Sequence, residues 1–262
     1  MKVLLTLILN VYSLISIGQV MVTSGLNEQV FGNPGEVKFV DIQLRNSGLS
    51  PATISFTLSD YVNSCKKGYL YLEPGSTKNS IADWLTFETS EITLRPKEKA
   101  TIRVLFEIPI ETTLSNGHIC VFVNNKPVIE EVPSSGEIFQ IGVSTRYAVN
   151  VLFNNTSLEN SKPDLKVQNF LTNEKDSRFE FEYINVGSAS AKFTCKLEVV
   201  DTSGAVIQSV NSKQYIIQPD QCRVVKTPIN FNPNGQLYTL VLVAQTINSN
   251  DLFGFSFETT LK

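Results

Sequence analysis

Two-residue alternation of apolar and polar side chains dominates the chain after residue 18, and it restricts the chain to strands. In a strand successive side chains point to opposite faces, so alternation marks a ribbon with one buried face and one wet face. The run from Val37 to Leu44 alternates and breaks at Arg45-Asn46-Ser47-Gly48, and Ala52 to Leu58 alternates again. In Ala100 to Ile108, the side chains of Ile102, Val104 and Phe106 are expected on one face, and those of Arg103 and Glu107 on the other. His118 to Val123 and Phe139 to Phe153 continue the pattern; Phe179 to Tyr183, Phe193 to Val200, Leu237 to Ala244 and Phe253 to Leu261 repeat it. Short strands bounded by Gly, Pro, Asn and Ser predict an all-β chain with antiparallel sandwich architecture.

A sandwich of this kind takes about 100 residues, so a chain of 262 residues has room for two. The stretch from Asn154 to Pro163 is polar, lacks alternation and ends in proline, as a linker does. The expected organisation is two consecutive immunoglobulin-like β-sandwich domains, residues 19–155 and 162–262. Ahead of them stand Lys2, an apolar run from Val3 to Ile17, and small residues at Ser16 and Gly18. This is the pattern of a secretory signal peptide over residues 1–18, cleaved near Gly18 to leave Gln19 first. An uncleaved anchor helix is the alternative, but the run is short for a bilayer, and no other stretch approaches the roughly 20 apolar residues a span needs. The expected location is therefore periplasmic or extracellular, with no stable membrane span.

Charged residues make up 18% of the chain and the net charge is −3, so there is no basic excess to neutralise phosphates and nucleic acid is excluded as a partner. The one histidine, His118, has no motif around it, and the chain lacks a G-x-S-x-G elbow, a phosphate loop and an H-E-x-x-H pair. No catalytic residue, no metal site and no cofactor is expected, and the chain reads as a non-enzyme. Four cysteines, Cys65, Cys120, Cys195 and Cys222, are disulfide candidates in an exported chain. Membership of the two expected domains favours Cys65–Cys120 and Cys195–Cys222; buried free thiols are the alternative.

Two echoes relate the halves. Arg45-Asn46-Ser47-Gly48 matches Ile184-Asn185-Val186-Gly187, each after an alternating strand, and Leu94-Arg95-Pro96 matches Ile217-Gln218-Pro219. The glycine of each Asn-x-Gly is expected to supply positive φ at a reversal.

The segments Asp83-Trp84-Leu85-Thr86-Phe87, Ile92-Thr93-Leu94-Arg95-Pro96-Lys97-Glu98, Ile102-Arg103-Val104 and Ile108-Pro109 resemble the first domain of periplasmic pilus-chaperone-like proteins. Phe139 to Arg146 is similar to that family's last strand of the first domain, and Pro163-Asp164-Leu165 to the start of its second. The resemblance implies a periplasmic assembly factor that binds a secreted or surface protein subunit by β-strand pairing. The donated side chains would be Phe139, Ile141 and Val143, with the alternative that these face their own core. The family's basic anchor for the partner's carboxylate, an Arg in the first strand with a Lys in the donor strand, is absent as a pair. No Arg or Lys stands between Gln19 and Val37, and Arg146 is the candidate on the donor strand. A structural or adhesive module of a cell-envelope complex is the alternative function. A Gram-positive family that binds WxL-type wall proteins shares the two-sandwich plan but ends in a transmembrane helix and basic tail, whereas Phe255 to Lys262 reads as a final strand.

Overall fold

A computed structural model of the chain describes residues 20–126, 128–134, 137–158, 161–173, 175–247 and 249–261, the side chains of 128–134 and 137–143 excepted. The expected signal peptide, residues 1–18, lies outside the described residues. Apart from one short 3-10 turn at Ala82–Trp84, the regular structure is all strand. The chain divides into two compact units. One comprises the chain up to Asp60 with Leu72–Ser157; the other comprises Tyr61–Tyr71 with the chain from Leu158 on.

The strands of the first part of the chain are β1 (Val20–Val22), β2 (Asn27–Gly32), β3 (Val37–Asn46), β4 (Ala52–Ser64), β5 (Gly68–Leu72), β6 (Leu85–Phe87), β7 (Glu91–Leu94), β8 (Lys99–Glu107), β9 (Asn116–Asn125), β10 (Val128–Ser134), β11 (Glu137–Val143) and β12 (Arg146–Asn155). One sheet has the order β1-β3-β8-β6 and the other β2-β12-β9-β4-β5, with β7 also on β4. The alternation expected from the sequence sets the register. Val40 opposes Val104 and Ile42 opposes Ile102, all buried, while Asp41 opposes Arg103 on the wet face. There the Arg103 guanidinium meets the Asp41 carboxylate at 3.0 Å, an exposed pair that solvent screens. Between the sheets, Trp84 packs edge-on against Phe106 of β8 and Phe153 of β12, with centroids 5.9 and 5.0 Å away.

Two segments change sheet. The chain runs from β1, antiparallel to β3, into β2, which lies parallel to β12. Likewise β6 pairs with β8 and β7 with β4. Strands that switch sheet close the corners of a sandwich.

The second unit holds β13 (Leu165–Asn173), β14 (Arg178–Asn185), β15 (Ala191–Val200), β16 (Val206–Asn211), β17 (Tyr215–Ile217), β18 (Cys222–Pro228), β19 (Leu237–Thr246) and β20 (Leu252–Thr260). Its sheets run β13-β14-β18 and β16-β15-β19-β20, with β17 on β15. The core is aromatic: Phe179, Phe181, Tyr183 and Phe193 are fully buried. Phe170 stacks on Phe181 and Phe257 at 5.3 and 5.5 Å.

Two sequence expectations are corrected here. The disulfide joins Cys65 to Cys222, and Cys120 and Cys195 are buried free thiols. The pairing by chain order fails because Tyr61–Tyr71, the tip of the β4–β5 hairpin, belongs to the second unit. Cys65 thereby comes within 5.1 Å (Cα to Cα) of Cys222, inside the reach of a disulfide. The hairpin tip is held by hydrogen bonds as well: the Asn63 N–H donates to the Gln221 side chain at 3.3 Å. The second correction concerns the Asn-x-Gly turns, since neither Gly48 nor Gly187 is among the glycines with positive φ. The asparagine does the work instead, its side-chain oxygen accepting the glycine N–H two residues on. Gly187 is needed for space, because a Cβ there would strike the backbone of Lys162, Pro163 and Asp164.

Candidate functional site

The run from Phe139 to Phe153, continuous by alternation in the sequence, is two strands. Alternation runs through it, but the structure interrupts it at Ser144 and Thr145. Phe139, Ile141 and Val143 lie in β11; their side chains are outside the described set. β11 pairs antiparallel with β10 and with no other described strand. Upstream of β11, Val132, Pro133 and Ser134 belong to β10. Pro133 is tolerated because β10 has a neighbour on one side only among the described strands.

The two-stranded β10-β11 ribbon prolongs the β9–β12 hairpin with an irregular step. Asn124 opposes Arg146 and Val128 opposes Val143, so four steps on one side answer three on the other. This is the count of a β-bulge, which bends and twists a ribbon locally. The Asn125 N–H donates to the Thr145 carbonyl at 2.9 Å, and the Ser144 hydroxyl to the Asn125 carbonyl at the same distance, which ties the two irregular segments together.

β12 itself is paired with β9 along nearly its whole length, from Arg146 to Asn154. Its other side is covered by β2 only from Asn150 to Asn155. The Asn150 N–H marks the upper limit of that cover: it points away from β9 and donates to the Leu26 carbonyl at 2.9 Å. N–H groups on one side of an antiparallel strand recur every second residue. Those of Ala148 and Arg146 therefore point to the same side as that of Asn150, ahead of the start of β2. The result is a sheet edge, open among the described residues, that runs from β11 through the first four residues of β12.

Arg146 begins that open stretch and is exposed. Its guanidinium lies 4.7 Å from the Phe122 ring centroid, and its Nε donates to the Asn124 Oδ1 at 2.7 Å. The cation is thus oriented by its β9 neighbours. Tyr147 anchors the neighbouring position, its hydroxyl donating to the Val20 carbonyl at 3.0 Å.

His118 lies in β9 and is buried. Among the described residues no group of three or more His, Cys, Asp or Glu could hold a metal ion, and no helix is long and apolar enough to cross a membrane. The sequence reading missed that β2 covers half of β12, because a parallel pairing between residues more than a hundred apart leaves no local signal.

No family model and no curated protein sequence matches the chain. Solved structures do. The chain is similar to the YadV chaperone, at 13% identity, with 92% of this chain and 100% of that one covered and a TM-score of 0.46. It is similar to a chain of the CsuC–CsuE chaperone-tip adhesion subunit pre-assembly complex of Acinetobacter baumannii, at 11% identity, 90% and 97% coverage and a TM-score of 0.49. It is also similar to a chain of the complex of the Salmonella enterica SafA pilin with the SafB chaperone, at 10% identity, 89% and 100% coverage and a TM-score of 0.42. Other solved structures with this likeness include the class 5 fimbriae chaperone CfaA, at 12% identity and a TM-score of 0.45, and, over 52% of this chain, a PapD-like domain of human CEP192, at 12% identity and a TM-score of 0.29.

Proposed function

We propose that the chain is a periplasmic assembly factor that holds a secreted or surface protein subunit by lending it a strand. The carrying observation is the open edge along β11 and Arg146–Val149, beside the point where β2 stops covering β12. An open edge presents a row of backbone donors and acceptors that a partner strand satisfies, and alternate side chains entering the partner give selectivity. Phe139, Ile141 and Val143 are the side chains assigned to this role, and Arg146 the cation for an anionic group of the partner. The reading is of a binding protein and not of an enzyme. The Cys65–Cys222 disulfide suits an oxidising compartment, in keeping with an export signal over residues 1–18. N-terminal sequencing of the mature protein should begin at or near Gln19.

The deciding experiment is co-purification of the full mature chain from its envelope fraction. Ile141→Asp should leave export and the Trp84 fluorescence of the folded first unit unchanged while the captured subunit is lost. If Ile141→Asp unfolds the first unit, or if the partner is retained, the strand-lending assignment is wrong.

A further inference from the structure

A second edge lies elsewhere in the molecule. β5, Gly68-Tyr69-Leu70-Tyr71-Leu72, ends its sheet, pairing with β4 and with no other described strand. All five residues are exposed, Tyr69 at 39% and Tyr71 at 44%, and none is charged or proline. Soluble proteins normally blunt such an edge with charge, proline or a covering loop. Tyr69 and Tyr71, two apart and so on one face of the strand, stack with centroids 6.3 Å apart.

The surroundings of this strand carry positive charge. Lys66 and Lys67, exposed, directly precede it at the hairpin tip. The Cys65–Cys222 bond brings Arg223 to the same place, where its guanidinium lies 5.8 Å from the Tyr69 ring and 5.1 Å from the Tyr215 ring and donates to the Tyr69 hydroxyl at 3.2 Å. The Lys213 ammonium lies over the Tyr215 ring, 5.9 Å from its centroid. Lys38, Lys126 and Lys196 sit in ion pairs. Lys66, Lys67, Lys213 and Arg223 make none among the described residues. Two of these cations lie over tyrosine rings and two directly precede the strand, a concentration of positive charge on a chain whose net charge is −3.

We propose that this surface binds an acidic polypeptide segment in extended conformation, paired along the free edge of β5. Charge complementarity fixes the sign of the partner, and Tyr with Arg is the residue pairing favoured at binding hot spots. The open backbone edge selects a polypeptide over an anionic lipid or glycan, since only a polypeptide answers a row of backbone donors and acceptors. The site is separate in sequence and in sheet position from the β11–β12 edge, and it stands without the function proposed for that edge.

The test uses the full mature chain and a fluorescent ten-residue peptide of alternating Glu and Val, read by anisotropy at low ionic strength. The peptide should bind and should weaken as salt is raised. The double variant Lys66→Glu, Lys67→Glu should bind at least tenfold more weakly, with an unchanged thermal midpoint. Lys213→Glu, outside the hairpin, should weaken binding in the same sense. Ile141→Asp, at the other edge, should leave it unchanged. Peptides N-methylated at every second residue should lose affinity in one of the two phases. Equal binding by both N-methylated peptides, indifference to the lysine reversals, loss in Ile141→Asp, or capture by phosphatidylglycerol vesicles but not by the peptide would each overturn the proposal.

Discussion

Asn46 and Asn185 share four hydrogen bonds of one pattern, each inside its own unit, and Asn185 Oδ1 accepts the Asp164 N–H besides. Asn46 Nδ2 donates to the carbonyls of Ser50 at 2.8 Å and Leu94 at 3.1 Å; Asn185 Nδ2 donates to those of Ala189 at 2.7 Å and Ile217 at 3.1 Å. The Oδ1 of each accepts the N–H of a glycine, Gly48 or Gly187. The backbone N–H of each donates to a carbonyl just past a proline turn, that of Glu98 or Gln221. Both asparagines are fully buried. The two echoes seen in the sequence are therefore two halves of one device, in which the residue ending a strand ties down the residue before Arg95-Pro96 or Gln218-Pro219.

Removing either amide leaves two backbone carbonyls and a glycine N–H short of a partner, one of the carbonyls, that of Leu94 or Ile217, in a buried bond. Asn46→Ala and Asn185→Ala are each expected to destabilise by roughly 2–4 kcal/mol. Trp84, the one tryptophan of the chain, reports on the first unit alone. Urea unfolding followed by its fluorescence should show the larger shift for Asn46→Ala, and equal shifts for the two variants would contradict the assignment.

Lys97 and Asp220 hold positive φ, 65° and 60°, at the residue after proline in equivalent turns. Glu98 N–H donates to the Arg95 carbonyl, and Gln221 N–H to that of Gln218, each at 3.1 Å. Proline followed by positive φ is the type II turn, where glycine is the unstrained choice. A non-glycine residue there costs roughly 1–2 kcal/mol. Lys97→Gly gives up one exposed bond, from Lys97 Nζ to the Ser47 carbonyl, and should be neutral to about 1 kcal/mol stabilising. Lys97→Val should destabilise by more than about 1 kcal/mol. Thermal midpoints of the pair give the answer, and the opposite order would exclude the turn assignment.

Non-reducing peptide mapping should recover Cys65 linked to Cys222, and alkylation should reach Cys120 and Cys195 only after unfolding. The bond spans 157 residues of sequence. On the chain-entropy model, its reduction should lower stability by up to about 5 kcal/mol. A cross-linked peptide containing Cys120 would overturn this pairing.

Burial pushes the Cys120 thiol up to about 12, with the nearby Arg146 charge acting in the opposite sense. Burial likewise takes Cys195 to about 11, opposed by hydrogen bonds with Tyr183 and Ser212. For both, the folded value lies above the reference value of 9.0. Folding therefore favours the protonated thiols, whose contribution is fully present below about pH 9 and is lost as pH rises through 11 to 12. Stability should fall across that alkaline window, and Cys120→Ala with Cys195→Ala should make the decline shallower. An unchanged slope would show that other groups control the alkaline limb.

What the sequence determined by itself is local. Alternation at Val40, Ile42 and Leu44, or at Ile102, Val104 and Phe106, is set by which side of a strand each residue occupies, and neighbours two apart suffice to reveal it. The proline turns and the Asn-x-Gly reversals were legible for the same reason, although the role of the glycines was not. Tertiary structure alone decided which sheet each strand joins: β1 and β2 are five residues apart yet pair in different sheets, because their partners, β3 and β12, are brought in from distant parts of the chain. It decided that Tyr61–Tyr71 is built into the second unit, and with it the Cys65–Cys222 pairing that order along the chain argues against. It also decided where β2 stops and the edge at Arg146–Val149 opens. Each of these depends on closing loops of tens to more than a hundred residues and on the packing that rewards the closure, and no periodicity of two carries that information.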